Sequence, residues 1–187
     1  MEVKSLDSIA NLNKLINLSI YGCVHVTSIA SLQQLTKLQE LSLGKCTGIT
    51  DLTPIGNAHE LHYLALWASS VRDLSPISTL LNLRTLYIQD SRVGFLPDAL
   101  LFNSKLEHLA ANTLDGCPKE IQSEDPDDSC LLRVRAWKTD LMAGEDLERE
   151  VKIFMLGNAF AGKTQICRQL RGETYDEKVP STHGVQI

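Results

Sequence analysis

Residues 38–55 read LQELSLGKCTGITDLTPI and residues 61–77 read LHYLALWASSVRDLSPI. Laid over one another, the two stretches keep the same order: LxxLxL, one apolar residue further on, then DL[TS]PI. Working outward, LxxLxL recurs as Leu15-Leu18-Ile20, Leu38-Leu41-Leu43, Leu61-Leu64-Leu66 and Leu83-Leu86-Ile88, with a weaker last copy at Leu106-Leu109-Ala111. The second leucine stands at 18, 41, 64, 86 and 109, in steps of 23, 23, 22 and 23. An apolar residue follows each of the first four copies, at Val26, Ile49, Val71 and Val93, and between copies apolar residues return every third position, as in Ile29, Leu32, Leu35 and Leu38. A phase held for over 100 residues is the signature of a stacked repeat.

The physical reading is a solenoid. Each LxL is a short strand with its leucines turned inward, and the spaced apolar residues return along the convex side. A single copy cannot bury its own apolar face, so the copies stack. Side chains flanking the inward leucines then form rows on the concave face. The rows are Asn17, Glu40, Tyr63, Thr85, His108; Ser19, Ser42, Ala65, Tyr87, Ala110; and Tyr21, Gly44, Trp67, Gln89, Asn112. Tyr63, Trp67 and Tyr87 are expected to cluster over the middle copies. Exposed aromatics on a rigid concave sheet suit a protein-binding hot spot, although they could also simply pack on one another.

This segment, residues 1–117, resembles leucine-rich repeats, and the TDLTPI and RDLSPI pieces resemble the bacterial type of about 22 residues. The fold class that follows is α/β: a leucine-rich-repeat solenoid over 1–121, of about five repeats, then an acidic linker, a helix and a further α/β part. Cys23, Cys46, Ser69 and Ser91 stand five positions after the second strand leucine. In leucine-rich repeats a small polar residue there bonds the turn backbone; a redox or metal pair at Cys23 and Cys46 is the functional alternative. Met1 falls in mid-repeat, with no strand or polar capping segment before the first copy, so an open end or an earlier natural start is expected.

Residues 122–130 carry Glu124, Asp125, Asp127 and Asp128 around Pro126 and read as an exposed linker. Leu131, Val134, Trp137 and Leu141 then fall at helical spacing, so an amphipathic connecting helix is expected within 131–150, capped by Asp127, Asp128 or Ser129 and ended by Gly144.

A second motif begins at residue 151. VKIFML (151–156) is a short apolar strand, GNAFAGKT (157–164) fits GxxxxGK[ST], and a helix with Ile166 and Leu170 on one face follows. Strand, loop and helix are the context this motif needs. The expected nucleotide-binding residues are Gly157, Asn158, Ala159, Phe160, Ala161, Gly162, Lys163, Thr164 and Gln165. Gly157 and Gly162 allow backbone N–H groups to aim at phosphate oxygens, and the helix N-terminus adds partial positive charge. Lys163 would reach the β- and γ-phosphates, and Thr164 would ligate Mg²⁺.

Thr182 lies 19 residues after Lys163. That interval is similar to small GTPases, whose first-switch threonine closes over Mg²⁺ and the γ-phosphate. With STHG (181–184), GNAFAGKT and the repeats in this order, the whole chain resembles bacterial proteins of the Ras-of-complex and COR class. The resemblance implies a regulatory protein binding GTP or GDP with Mg²⁺, metal ligands Thr164 and Thr182, and a solenoid acting as the protein-interaction arm. Residues 151–187 would be the N-terminal part of the GTPase domain: first strand, phosphate loop, first helix and first switch. The later segments that read guanine and orient water, and the COR dimerisation domain, do not appear in the sequence. GTP hydrolysis is therefore expected of a complete parent domain and not of this chain alone. The alternative is a protein-binding repeat module without nucleotide turnover; an ATP-using protein is a third reading that STHG disfavours.

Composition limits other functions. Hydrophobic residues make up 43% and charged residues 22%, which are globular proportions. A net charge of −5 disfavours nucleic-acid binding through a basic face. No apolar run is long enough for a membrane span, and the N-terminus lacks the pattern of a secretory signal. Five cysteines, none in CxxC, read as reduced thiols of a cytoplasmic protein. The five histidines show no ligand spacing.

Overall fold

The computed structural model describes residues 3–143. The nucleotide-binding and metal residues expected between 157 and 182 lie outside the described residues, as do Gly144, Cys167 and the strand and helix expected from residue 151 onward.

Five three-residue strands, β1 (Asn17–Ser19), β2 (Glu40–Ser42), β3 (Tyr63–Ala65), β4 (Thr85–Tyr87) and β5 (His108–Ala110), form one parallel sheet in chain order. The register follows the repeat. Leu18 pairs Leu41, Leu41 pairs Leu64, Leu64 pairs Leu86 and Leu86 pairs Leu109. Leu41, Leu64, Leu86 and Leu109 have no exposed surface, and the rows of flanking residues stand in line as the alternation requires.

Each of the first four strands ends in a sharp turn. Gly22 (φ 65°), Lys45 (φ 56°), Ala68 (φ 51°) and Asp90 (φ 53°) occupy the left-handed region at the same point of successive repeats. Only the first is glycine; elsewhere the ladder holds residues that pay about 1–2 kcal/mol for that conformation. The small polar position follows directly. Cys46 Sγ donates to Ile20 O of the preceding repeat (3.5 Å), Ser91 Oγ donates to Ile88 O (2.6 Å), and Ser69 Oγ accepts from Val71 N (3.4 Å). Cys23 Sγ likewise donates to Tyr21 O (3.8 Å), so Cys23 and Cys46 both bond the turn backbone.

The convex side is made of single 3-10 turns: Asp7–Ile9, Ala30–Gln34, Thr53–Ile55 and Ser75–Ile77. DL[TS]PI is the recipe for two of them. Asp51 Oδ1 accepts from Thr53 N and Asp73 Oδ1 from Ser75 N, both at 2.8 Å, which closes the turn entrance. Pro54 and Pro76 fix the first turn positions, where no N–H is needed. Leu52, Ile55, Leu74 and Ile77 point into the core.

The stretch between β4 and β5 departs from this plan: its convex side carries a short α-helix, α1 (Asp98–Leu101). Beyond it the acidic segment 122–130 has exposed carboxylates, as its charge implies, but its backbone is fixed to the free edge of β5. Ser123 N donates to Ala111 O (2.7 Å), Cys130 N to Leu109 O (2.8 Å), and Leu109 N to Ser129 Oγ (3.1 Å). The segment thus completes the last strand's hydrogen bonds and covers an edge that would otherwise template further pairing.

Helix α2 (Leu131–Ala143) seals that end. Leu131 and Val134 are buried and Trp137 is half-buried, but Leu141 is 59% exposed, so the expected apolar stripe holds for its first half only. Arg133 grips the acidic segment through Asp128 (2.7 and 3.2 Å), and its Nε donates to Ile121 O (2.9 Å).

Candidate functional site

The concave face is where sequence reasoning placed a partner, and the described structure places all three of its aromatics there. They do not form one cluster. Tyr63 packs on Tyr87 (centroids 5.6 Å apart), and Tyr87 packs on His108 (5.1 Å). Trp67 instead meets Tyr21 at 5.5 Å, two repeats away. Lys45 Nζ sits 5.5 Å from the ring centres of both Tyr21 and Trp67, a cation held against two aromatic faces.

The reach of Trp67 depends on Gly44. A Cβ there would fall 2.6 Å from both indole Cε2 and Nε1, so the ring lies directly over this glycine. Gly44→Ala is therefore expected to push Trp67 off the sheet. In a Trp137→Phe background, this should red-shift the remaining emission and raise its quenching by acrylamide; unchanged emission would show that the ring is held by something other than the bare floor at Gly44.

Stacking leaves Tyr63, Trp67 and Tyr87 half-buried, whereas Tyr21 is 60% exposed. The Tyr63 hydroxyl is pushed above its usual range by burial first, then by Tyr87 and Glu40, and stays neutral at physiological pH. The carboxylates of the face are engaged sideways: Glu40 Oε2 accepts from Asn17 Nδ2, and Asp90 Oδ1 from Asn112 Nδ2, both at 2.9 Å. Gln89 is nearly buried in the third row, and its Nε2 has no hydrogen-bond partner among the described residues. At the far end, His108 Nε2 lies 2.9 Å from Pro126 O, so the acidic segment marks where the free face stops.

Sequence reasoning listed Tyr21, Gly44, Gln89 and His108 in the rows without singling them out, and passed over Lys45. The missed signal was the pairing of two large side chains two repeats apart in one row with only glycine between them.

The described residues offer little else for chemistry. No group of three His, Cys, Asp or Glu residues among them could hold a metal ion. Burial raises the Cys46 and Cys130 thiols, and Cys117 reaches about 11 through burial first and Cys130 second, so these sulfurs remain protonated and poorly nucleophilic. Among the described residues no helix is long and apolar enough to cross a membrane.

No protein-family model matches the chain, and no curated protein matches it. Solved structures that match include internalin C2 of Listeria monocytogenes, at 25% identity and a TM-score of 0.47, over 59% of this chain and 57% of that one. A leucine-rich-repeat protein of Leptospira interrogans matches at 24% identity and a TM-score of 0.49, over 64% of this chain and 31% of that one. The leucine-rich-repeat domain of a type III effector matches at 22% identity and a TM-score of 0.46, over 59% and 49%. The chain thus spans less than two thirds of the length of each. The assignment of a solenoid rests on the strand register and turn ladder described above.

Proposed function

We propose that this chain is a leucine-rich-repeat protein-interaction module whose concave face docks a protein partner on Tyr63, Trp67 and Tyr87, with Tyr21 extending the surface. The observation that carries this reading is the concentration of stacked, partly exposed aromatics on a sheet held rigid by its register. Rigid aromatics lose little conformational entropy on binding and give large contact area. The test is a Trp67→Ala, Tyr87→Ala double substitution assayed against any isolated binding partner. A fall of at least tenfold in affinity, with unchanged circular dichroism, is expected; an unchanged Kd would move the interface elsewhere.

Residues 157–165 favour a second, compatible role. We infer that GNAFAGKT binds GDP or GTP with Mg²⁺, that Thr164 and Thr182 serve the metal, and that the chain is the sensor arm and nucleotide-binding start of a cytoplasmic switch protein of the Ras-of-complex class. What supports this is the sequence from Val151 to Leu170, which supplies strand, loop and helix in the order a phosphate loop needs. The intact mass of the natural product carrying residues 1–187 identifies the polypeptide to use. In it, Lys163→Ala should weaken fluorescent GDP binding at least tenfold; equal affinity of the two forms would remove the phosphate-loop role.

A further inference from the structure

Every strand after the first is fastened to the repeat before it by the same two main-chain groups. In β2, Glu40 N–H donates back to Ile16 O (3.1 Å), and Ser42 O accepts from Ile20 N (2.8 Å). The same two bonds recur at Tyr63 and Ala65 in β3, at Thr85 and Tyr87 in β4, and at His108 and Ala110 in β5. In β1 the corresponding groups are Asn17 N–H and Ser19 O, and among the described residues no strand lies before them. Alternation along the strand turns the main chain of Asn17 and Ser19 the same way, away from β2.

The edge carries none of the features that keep an edge strand single. Its residues, Asn17, Leu18 and Ser19, are uncharged and include no proline. The opposite edge, β5, is closed by the chain's own segment 122–130. The side chains around β1 also suit cover. Ile16 is 49% exposed, at a position where later repeats carry Gln39, His62 and Arg84. Leu15 and Leu18 are only partly buried, whereas Leu38 and Leu41, one repeat on, have no exposed surface.

We propose that β1 is the interface to a second copy of this chain, the two β1 strands pairing antiparallel about a two-fold axis through Leu18. Because β5 is covered, copies cannot stack head to tail. The open edge meets a matching edge only on another β1, which closes a dimer and builds no filament. The register follows from which groups face outward. Asn17 lies opposite Ser19 of the second copy, and each such pair exchanges both N–H···O bonds. The two Leu18 residues face each other across the axis, their main chains already turned to β2. The pairing brings no charges of the strand together, joins two five-stranded sheets into one, and covers Leu15, Ile16 and Leu18. It depends on neither concave-face docking nor nucleotide binding.

Sedimentation equilibrium of the full chain between about 1 and 100 µM should give a mass that rises toward twice that of one chain. Two substitutions should each raise the dimer dissociation constant at least about tenfold with circular dichroism unchanged. Ile16→Arg installs the residue type that the fourth repeat already carries there as Arg84. Ser19→Pro removes an N–H that the ladder to β2 does not use. In the unsubstituted chain, the Asn17 and Ser19 amides should exchange more slowly at the high end of the concentration range than at the low end. The Ile20 amide, bonded within one copy to Ser42 O, should change least. A monomer throughout the range overturns the proposal. So does a dimer that both substitutions leave intact and whose Asn17 and Ser19 amides ignore concentration, since the contact then lies elsewhere. Slow exchange at both amides that is equal at every concentration also overturns it, because the chain's own residues would then cover the edge.

Discussion

Leu64→Ala is expected to cost about 3–5 kcal/mol of folding stability. Leu64 has no exposed surface and sits at the centre of the leucine column, between its register partners Leu41 and Leu86, which are equally buried. Truncation there removes the transfer energy of the side chain and leaves a cavity that the short strands cannot close, since their ladder bonds fix them on both sides. A solenoid is held by nearest-neighbour interfaces, so one central cavity weakens two of them at once. For a domain with about 5–15 kcal/mol in total, the loss should appear as a large drop in the urea midpoint, or as a broadened transition in which the two halves part. Leu12→Ala, at a side chain 49% exposed, is the matched control and should stay within about 0.5 kcal/mol. A Leu64→Ala midpoint equal to that of Leu12→Ala would mean that the leucine column is not what holds the repeats together.

The column was legible because the same interaction is written five times. Leu18, Leu41, Leu64, Leu86 and Leu109 reveal the strands, and their spacing gives the register without further information, because parallel neighbours in a solenoid differ by one repeat. The convex side was legible only as spaced apolar residues; that DL[TS]PI encodes a 3-10 turn entered through its aspartate and proline emerges from the structure. The site was legible only in part. Alternation places Tyr63, Trp67 and Tyr87 on the concave face, but rotamers decide whether Trp67 leans toward Tyr87 or across Gly44 to Tyr21, and no local pattern records that. The acidic segment was read by its side chains, which are solvated. Its backbone obeys a different demand, the unpaired edge of β5, and charge composition is silent about it. Leu141 fits the helical period of α2, yet it lies past the last turn of the helix that has core beneath it.

Arg135→Ala should unfasten the C-terminal end of the solenoid, by about 2–4 kcal/mol. From α2 its guanidinium reaches back more than 25 residues to three main-chain carbonyls: Leu101 O (2.6 Å), Asn103 O (2.7 Å) and Leu106 O (3.4 Å). Leu101, Asn103 and Leu106 are buried, so water cannot readily replace the lost donor, and charge-assisted bonds are worth about 1.5–3 kcal/mol each to the folded state. The geometry is a fork. Nε serves one carbonyl and Nη2 the other two, which the single ammonium of lysine cannot span. Arg135→Lys should therefore recover less than half of the loss. The effect should also be local, because distant repeats do not touch the cap. In hydrogen exchange, the Ser123 and Cys130 amides that close the edge of β5 should exchange at least about 30-fold faster, as expected of roughly 2 kcal/mol. The Leu43 amide, which bonds Ala65 O of the next repeat and lies three repeats in from β5, should keep its rate. Equal acceleration at all three amides would mean that the cap and the solenoid unfold as one unit. No acceleration at Ser123 and Cys130 would mean that the buried leucine and valine of α2, and not the arginine fork, hold the cap in place.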